Sequence, residues 1–160
     1  MVGVYSLWFL TCERSSYSIC LQRSMKEADL KKALEKAAGN LLKKQPDFFT
    51  FTSETNQSEW NIAHHLANEV ASLFPELSCD LDVIKPNYES RRPDIILHRR
   101  GSQKDNFLVI EVKRVRDDVE GDLARIKQYW FRGELHYRFG AVVVINETEA
   151  PFIELLSNPD

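Results

Sequence analysis

Two short apolar runs with charges set inside them constrain this chain more than any other feature. Residues 92–113 read RPDIILHRRGSQKDNFLVIEVK, in which PDIIL and FLVIEVK stand either side of the wholly polar RRGSQKDN. Runs of Ile, Leu, Val and Phe bounded by a Gly-containing polar segment make two strands joined as a hairpin. Both runs are apolar on both faces, so Asp94, Glu111 and Lys113 are expected to be largely buried within them. Buried charge is costly unless it is paired or binds a metal, so these three residues need a reason to be there.

Register follows from symmetry. With residues 99–106 as the loop, its midpoint falls between Ser102 and Gln103, and paired residue numbers sum to about 205. Asp94 and Glu111 meet that condition and should face each other with Cβ atoms roughly 4.5–5.5 Å apart. Lys113 lies two residues on, on the same face as Glu111. A slip of one residue would send the two carboxylates to opposite faces. Facing carboxylates repel, the more so when buried, unless one takes a proton or a cation sits between them. Hard oxygen ligands at this spacing suit Mg²⁺, which binds one or two carboxylates and keeps its other positions for water and phosphate. A neighbouring Lys can hold a phosphate oxygen or help a water lose its proton. These parts amount to metal-assisted hydrolysis of a phosphodiester. The plainer alternative is an ion pair at a sheet edge.

Pro93-Asp94, a spacer of sixteen residues and Glu111-Val112-Lys113 resemble the PD-(D/E)xK nuclease motif. That superfamily includes many restriction enzymes, recombination and repair nucleases, and small mobile-element endonucleases. The resemblance covers roughly residues 59–145, with each half of the motif inside an expected strand. It implies a restriction-endonuclease-like α/β fold: an αβββαβ core with a mixed four-stranded sheet flanked by helices. It also implies Mg²⁺, with Mn²⁺ as a substitute, held by Asp94 and Glu111 with help from the backbone carbonyl of Val112. DNA is the implied substrate. The alternative function is a nuclease fold kept as a nucleic-acid- or protein-binding module without turnover.

The flanking elements fit that order. Residues 59–74 form a helix with Ser58 as N-cap and Ile62, Ala63, Leu66, Val70 and Leu73 on one stripe. Glu59 falls on that stripe at the first turn, whereas Glu69 lies at its margin. One reading makes Glu59 a partner of its own helix's amides. The resemblance supplies another, because in many members a Glu from the first core helix reaches the metal, and Glu59 holds the matching place. His64 and His65 lack the spacing of a metal pair and read as surface or packing residues. Residues 79–84 alternate as a strand, and a helix follows Lys113 to about residue 131, with Val119, Leu123, Ile126 and Trp130 facing the core. Lys127 lies at the edge of that stripe, where it either snorkels or reaches a phosphate. In some branches of the superfamily a Gln or Lys from this helix assists catalysis, which makes Lys127 and Gln128 accessory candidates. Residues 140–145, GAVVVI, form a strand buried on both faces, reached by a crossover.

Ahead of this core, residues 26–44 carry a helical stripe of Leu30, Leu34, Ala37, Ala38, Leu41 and Leu42, and Gln45-Pro46-Asp47 stops it. It reads as a packing or partner-binding helix. Phe48, Phe49 and Phe51 are expected to anchor the following loop rather than stack on bases. Residues 1–24 form an extension whose apolar run lacks the basic lead of a signal peptide. Met25 is the expected start, with an extra packing strand or a weak export signal as the other readings. The division is therefore residues 1–24, a leading helix and loop over 25–57, the core over 58–146 and a tail over 147–160.

The net charge of −3 argues against a generally basic nucleic-acid binder, but the distribution is uneven. Residues 91–138 hold twelve Lys or Arg against eight Asp or Glu, a local +4 that leaves −7 elsewhere. Positive potential near the site is thus expected, with Arg92, Arg114 and Arg116 as candidate phosphate contacts. Three scattered cysteines suit a reducing, cytoplasmic setting. No run approaches the roughly 20 apolar residues of a membrane helix, and cutting both DNA strands would suit a homodimer.

Overall fold

The computed structural model describes residues 24–50, 59–84, 89, 91–102, 105–132 and 134–159. In chain order its elements are α1 (Glu27–Lys44), α2 (Glu59–Leu73), β1 (Ser78–Leu81), β2 (Ile95–His98), β3 (Leu108–Lys113), α3 (Val119–Arg125), a π-helical turn (Ile126–Trp130), β4 (Phe139–Val144) and β5 (Phe152–Ser157). The hairpin forms in the expected register: Ile95 pairs with Ile110, Ile96 with Val109 and Leu97 with Leu108, each pair summing to 205. The strands make one mixed sheet in the order β1-β2-β3-β4-β5. Only β3 and β4 run parallel, joined by the crossover through α3.

Alternation along the strands feeds two separate cores. Ile95, Leu97, Leu108, Ile110, Val112, Ala141 and Val143 pack with Leu30, Leu34, Leu41, Ile62, Leu66 and Val70 of α1 and α2. Ile96, Val109, Val142 and Val144 turn the other way, onto Ile126, Trp130, Phe131 and Tyr137. The sheet is thus the middle layer of three. Each fully buried aliphatic side chain contributes roughly 1.5–3 kcal/mol, whereas an exposed ion pair adds at most about 1. The two cores, not the many surface ion pairs, therefore carry most of the fold's stability. The leading helix is part of this packing: Leu30, Leu34, Ala37, Ala38 and Leu41 are fully buried, and Lys44 reaches Glu69 of α2 at 2.8 Å. Phe48 and Phe49 are buried as anchors.

Several boundaries differ from those read in the sequence. The sheet has five strands rather than four, because residues 147–160 are not a plain tail but contain β5, antiparallel to β4. Ile153 and Leu155 alternate into the core there, a period-two pattern hidden in FIELLS by its short length and central Glu. β1 stops at Leu81 rather than running on to residue 84. Asp82 turns the chain with φ 51° while its N–H bonds the Asp94 carbonyl at 3.2 Å. The helix after β3 is α-helical only over Val119–Arg125, and its π turn closes with Phe131 N–H on the Ile126 carbonyl at 3.2 Å. That change of pitch lets Ile126, Trp130 and Phe131 all reach the core. Residues 1–23, Phe51 and Ser58 lie outside the described residues. Among those described, no helix is long and apolar enough to cross a membrane.

Candidate functional site

Asp94 stands immediately before β2 rather than inside it. The hairpin register carried one residue outward sets it opposite Glu111. Its Oδ2 accepts the Val112 backbone N–H at 2.7 Å, which ties the carboxylate to β3. Glu111 and Lys113 follow Val109 at two-residue steps, so they share its face, the one covered by α3. Glu59, the first residue of α2, comes from the opposite layer and meets them at the C-terminal end of β3. Its Oε1 accepts the Arg114 N–H at 3.3 Å, and its Oε2 lies 3.7 Å from Lys113 Nζ. Asp94, Glu111, Lys113 and Glu59, the residues expected at the site, thus come together from three different segments.

A fifth residue joins them without having been singled out by the motif. Asp122 of α3 points its Oδ2 at Lys113 Nζ, 3.7 Å away, and accepts a hydrogen bond from Arg125 on Oδ1. Its side chain is only 3% exposed, and Oδ2 has no hydrogen-bond partner among the described residues. A signal for it exists in the chain: Asp122 lies three residues after Val119 and four before Ile126, on the stripe that faces the sheet. The same reasoning singles out Glu59.

Electrostatics separate the roles. Burial pushes Glu111 up to about 8, with Asp94 and then Asp122 adding to the rise while Lys113 and Arg125 oppose it. Asp94 is also raised, mainly by burial and further by Glu59 and Asp122, although the Val112 N–H and Lys113 hold it back. Burial draws the Lys113 ammonium down, but Glu59, Asp122, Asp94 and Glu111 outweigh it and raise its pKa, so Lys113 stays a cation. With every group ionised, the described residues set the carboxylates of Glu59, Asp94, Glu111 and Asp122 against the Lys113 ammonium and an Arg125 guanidinium shared with Asp118, so at least two negative charges stay uncompensated. Among the described residues, no side chain hydrogen-bonds or ion-pairs with Glu111. Glu111 is half-buried.

Among the described residues, no hydrogen bond or ion pair links the side chains of the remaining candidates to this cluster. Arg92 pairs with Asp82 at 3.1 Å, Arg114 with Glu147 at 3.3 Å and Arg116 with Glu149 at 3.5 Å. Lys127 and Gln128 are exposed, and the Gln128 amide donates to the Tyr129 hydroxyl at 3.1 Å. His65 bonds Gln45 at 2.9 Å and His64 packs beside Trp60, as expected of packing residues.

Compared with known proteins, the chain matches no family model, no curated protein and no solved structure. Among the described residues, no three Asp, Glu, His or Cys side chains converge closely enough to form a ready metal cage. The donor set that does converge is a facing pair of hard carboxylates with two further acids nearby. A cation that takes one or two carboxylates and fills its other positions with water suits that set.

Proposed function

We propose that this chain is a divalent-metal-dependent nuclease of the PD-(D/E)xK kind, hydrolysing DNA phosphodiester bonds. The observation that carries the reading is Glu111, a carboxylate set against Asp94 and Asp122 and lacking any hydrogen-bonding or ion-pairing partner of its own among the described residues. A site with more carboxylates than cations fits one Mg²⁺ or Mn²⁺, with Asp94 and Glu111 as the residues to hold it and Glu59 to complete the set. The run α2-β1-β2-β3-α3-β4 follows the αβββαβ order of the restriction-endonuclease-like core, and β5 extends its edge. What the ion supplies when bound is Lewis acidity toward the phosphodiester and its attacking water.

The chain's own groups do the rest. Lys113 remains protonated among four carboxylates, which suits it to balance negative charge building on phosphate oxygens rather than to remove a proton. Glu111 is half-buried, whereas Asp122 is almost wholly enclosed. Arg92, Arg114 and Arg116 stand in surface pairs with Asp82, Glu147 and Glu149. Such pairs are weak, so their guanidinium groups can exchange a carboxylate for DNA phosphate. Two such sites, as in a homodimer, would cut both strands.

The test is cleavage of plasmid, linear and branched DNA in Mg²⁺ or Mn²⁺, run beside Asp94→Ala and Lys113→Ala. Metal-dependent cleavage by the natural chain and its loss in Asp94→Ala support the reading. Equal cleavage by Asp94→Ala would overturn it. Binding of DNA with no turnover in either metal would make the chain an adaptor built on a nuclease fold.

A further inference from the structure

Lys113 Nζ hangs midway between two acids, 3.7 Å from Glu59 Oε2 and 3.7 Å from Asp122 Oδ2. The two are not equivalent. Glu59 is 40% exposed, so a bound ion or a phosphate can compete for it, whereas Asp122 is 3% exposed and shielded from such competition. Asp122 is itself held from behind. Arg125 donates Nη2 to Asp122 Oδ1 and Nη1 to Asp118 Oδ2, the latter at 3.2 Å. Asp118 precedes α3 in a left-handed conformation at φ 51°, and its carboxylate lies against Gly121, where an added Cβ would clash with it. This short turn thus holds one oxygen of Asp122 through Arg125 and leaves the other toward Lys113, with no hydrogen-bond partner among the described residues. A buried oxygen without a hydrogen bond is costly, so the arrangement calls for a reason.

We infer that Asp122, clasped by Arg125, is a positioning residue that holds the Lys113 ammonium at the site when Glu59 turns to other partners. The inference rests on the nuclease reading for its purpose, but the tether between Asp122 and Lys113 is a property of the ion-free protein. Asp122 does not touch substrate; it acts through Lys113. A mobile ammonium on a four-carbon stem loses alignment with the phosphate oxygens, and loss of such supporting partners costs about 10- to 100-fold in activity.

The experiment compares the full chain with Asp122→Asn, which keeps shape and removes charge, and with Arg125→Gln, which loosens the clasp from its exposed side. Side-chain NMR relaxation of lysine, labelled at Cε and assigned through Lys113→Arg, reads Lys113 order without metal. Steady-state cleavage of plasmid DNA in Mg²⁺ separates kcat from KM. Asp122→Asn is expected to raise Lys113 mobility and to lower kcat about 10- to 100-fold with KM held within about twofold. Arg125→Gln should move both in the same direction by less. Unchanged Lys113 order in the folded variants would overturn the inference, as would a loss confined to KM. Should Asp122→Asn not fold, the Arg125→Gln order measurement decides. If the natural chain cleaves nothing, the nuclease reading fails, and the order measurement alone still decides whether Asp122 tethers Lys113.

Discussion

Two acids on one face of the sheet have been given opposite environments. Asp80 of β1 pairs in register with Ile96, and Glu111 of β3 lies two residues beyond Val109, so both look toward the core under α3. Asp80 accepts from His98 at 2.7 Å and is clasped by Arg100. Those bonds draw its pKa down to about 2, the Arg100 hydrogen bond foremost. Glu111 has no such clasp and is pushed up to about 8. The fold therefore can compensate a strand carboxylate fully, from the neighbouring strand and its loop. It does so where the acid is structural and leaves it undone where the acid faces Asp94. On the proposed reading, unmet charge at Glu111 leaves room for a cation, whereas met charge at Asp80 contributes stability.

Substitution should split the two acids most sharply. Glu111→Gln is expected to reduce cleavage to background and to abolish divalent-ion binding by calorimetry, while the fold is kept or strengthened because a repulsion is removed. Asp80→Asn should do the reverse, lowering stability by about 1–3 kcal/mol in urea melts with cleavage retained. An Asp80 variant that loses cleavage while still fully folded would break the contrast.

Lys113→Ala comes next. Removing a charge-stabilising group at the reacting phosphate is expected to lower kcat about 100- to 1000-fold, with Mg²⁺ affinity not weakened, since a competing cation has gone. Loss of ion binding together with cleavage would instead make Lys113 a structural partner of the carboxylates.

The pH dependence sharpens the comparison further. Glu111 has a folded pKa near 8 against an ordinary 4.5, so its contribution to ion-free stability is complete below about pH 4.5 and is lost as pH rises to about 8. Asp80 has the opposite sign: its contribution is present above its ordinary 3.8 and is lost as pH falls toward 2. Each tenfold change in proton affinity between folded and unfolded chains is worth about 1.4 kcal/mol, so the Glu111 effect reaches a few kcal/mol. Urea melts from pH 3 to 9 should show stability falling toward pH 8 in the ion-free chain. Saturating Mg²⁺ or Glu111→Gln should remove that fall; its persistence in Glu111→Gln would assign it to another group.

The smallest effects are expected at Lys127→Ala and Gln128→Ala, whose side chains are exposed and, among the described residues, not bonded to the carboxylates. Cleavage within about twofold of the natural chain fits the usual size of surface substitutions; a tenfold loss would bring the helix after β3 into the chemistry.

What can be read from the chain is local. The Asp94–Glu111 register rests on one hairpin, whose loop midpoint and two-residue alternation are both visible in residues 92–113. Helices α1 and α2 are marked by apolar stripes, and Glu59 by its place on one of them. Element ends escape the same reading for equally local reasons. FIELLS is short and interrupted by Glu154, so β5 resembles a tail, and the positive φ of Asp82 that ends β1 has no signature in an Asp alone.

The sequence by itself determined which carboxylates meet across the hairpin, because backbone pairing and strand alternation leave little freedom once the turn is placed. Only the tertiary structure decided how their charge is balanced. Asp122 reaches Lys113 because the crossover through α3 folds back over β3, and Glu59 arrives from the opposite layer around the strand's end. Contacts of that kind depend on how layers stack, which periodicity restricts to a face but does not place along it.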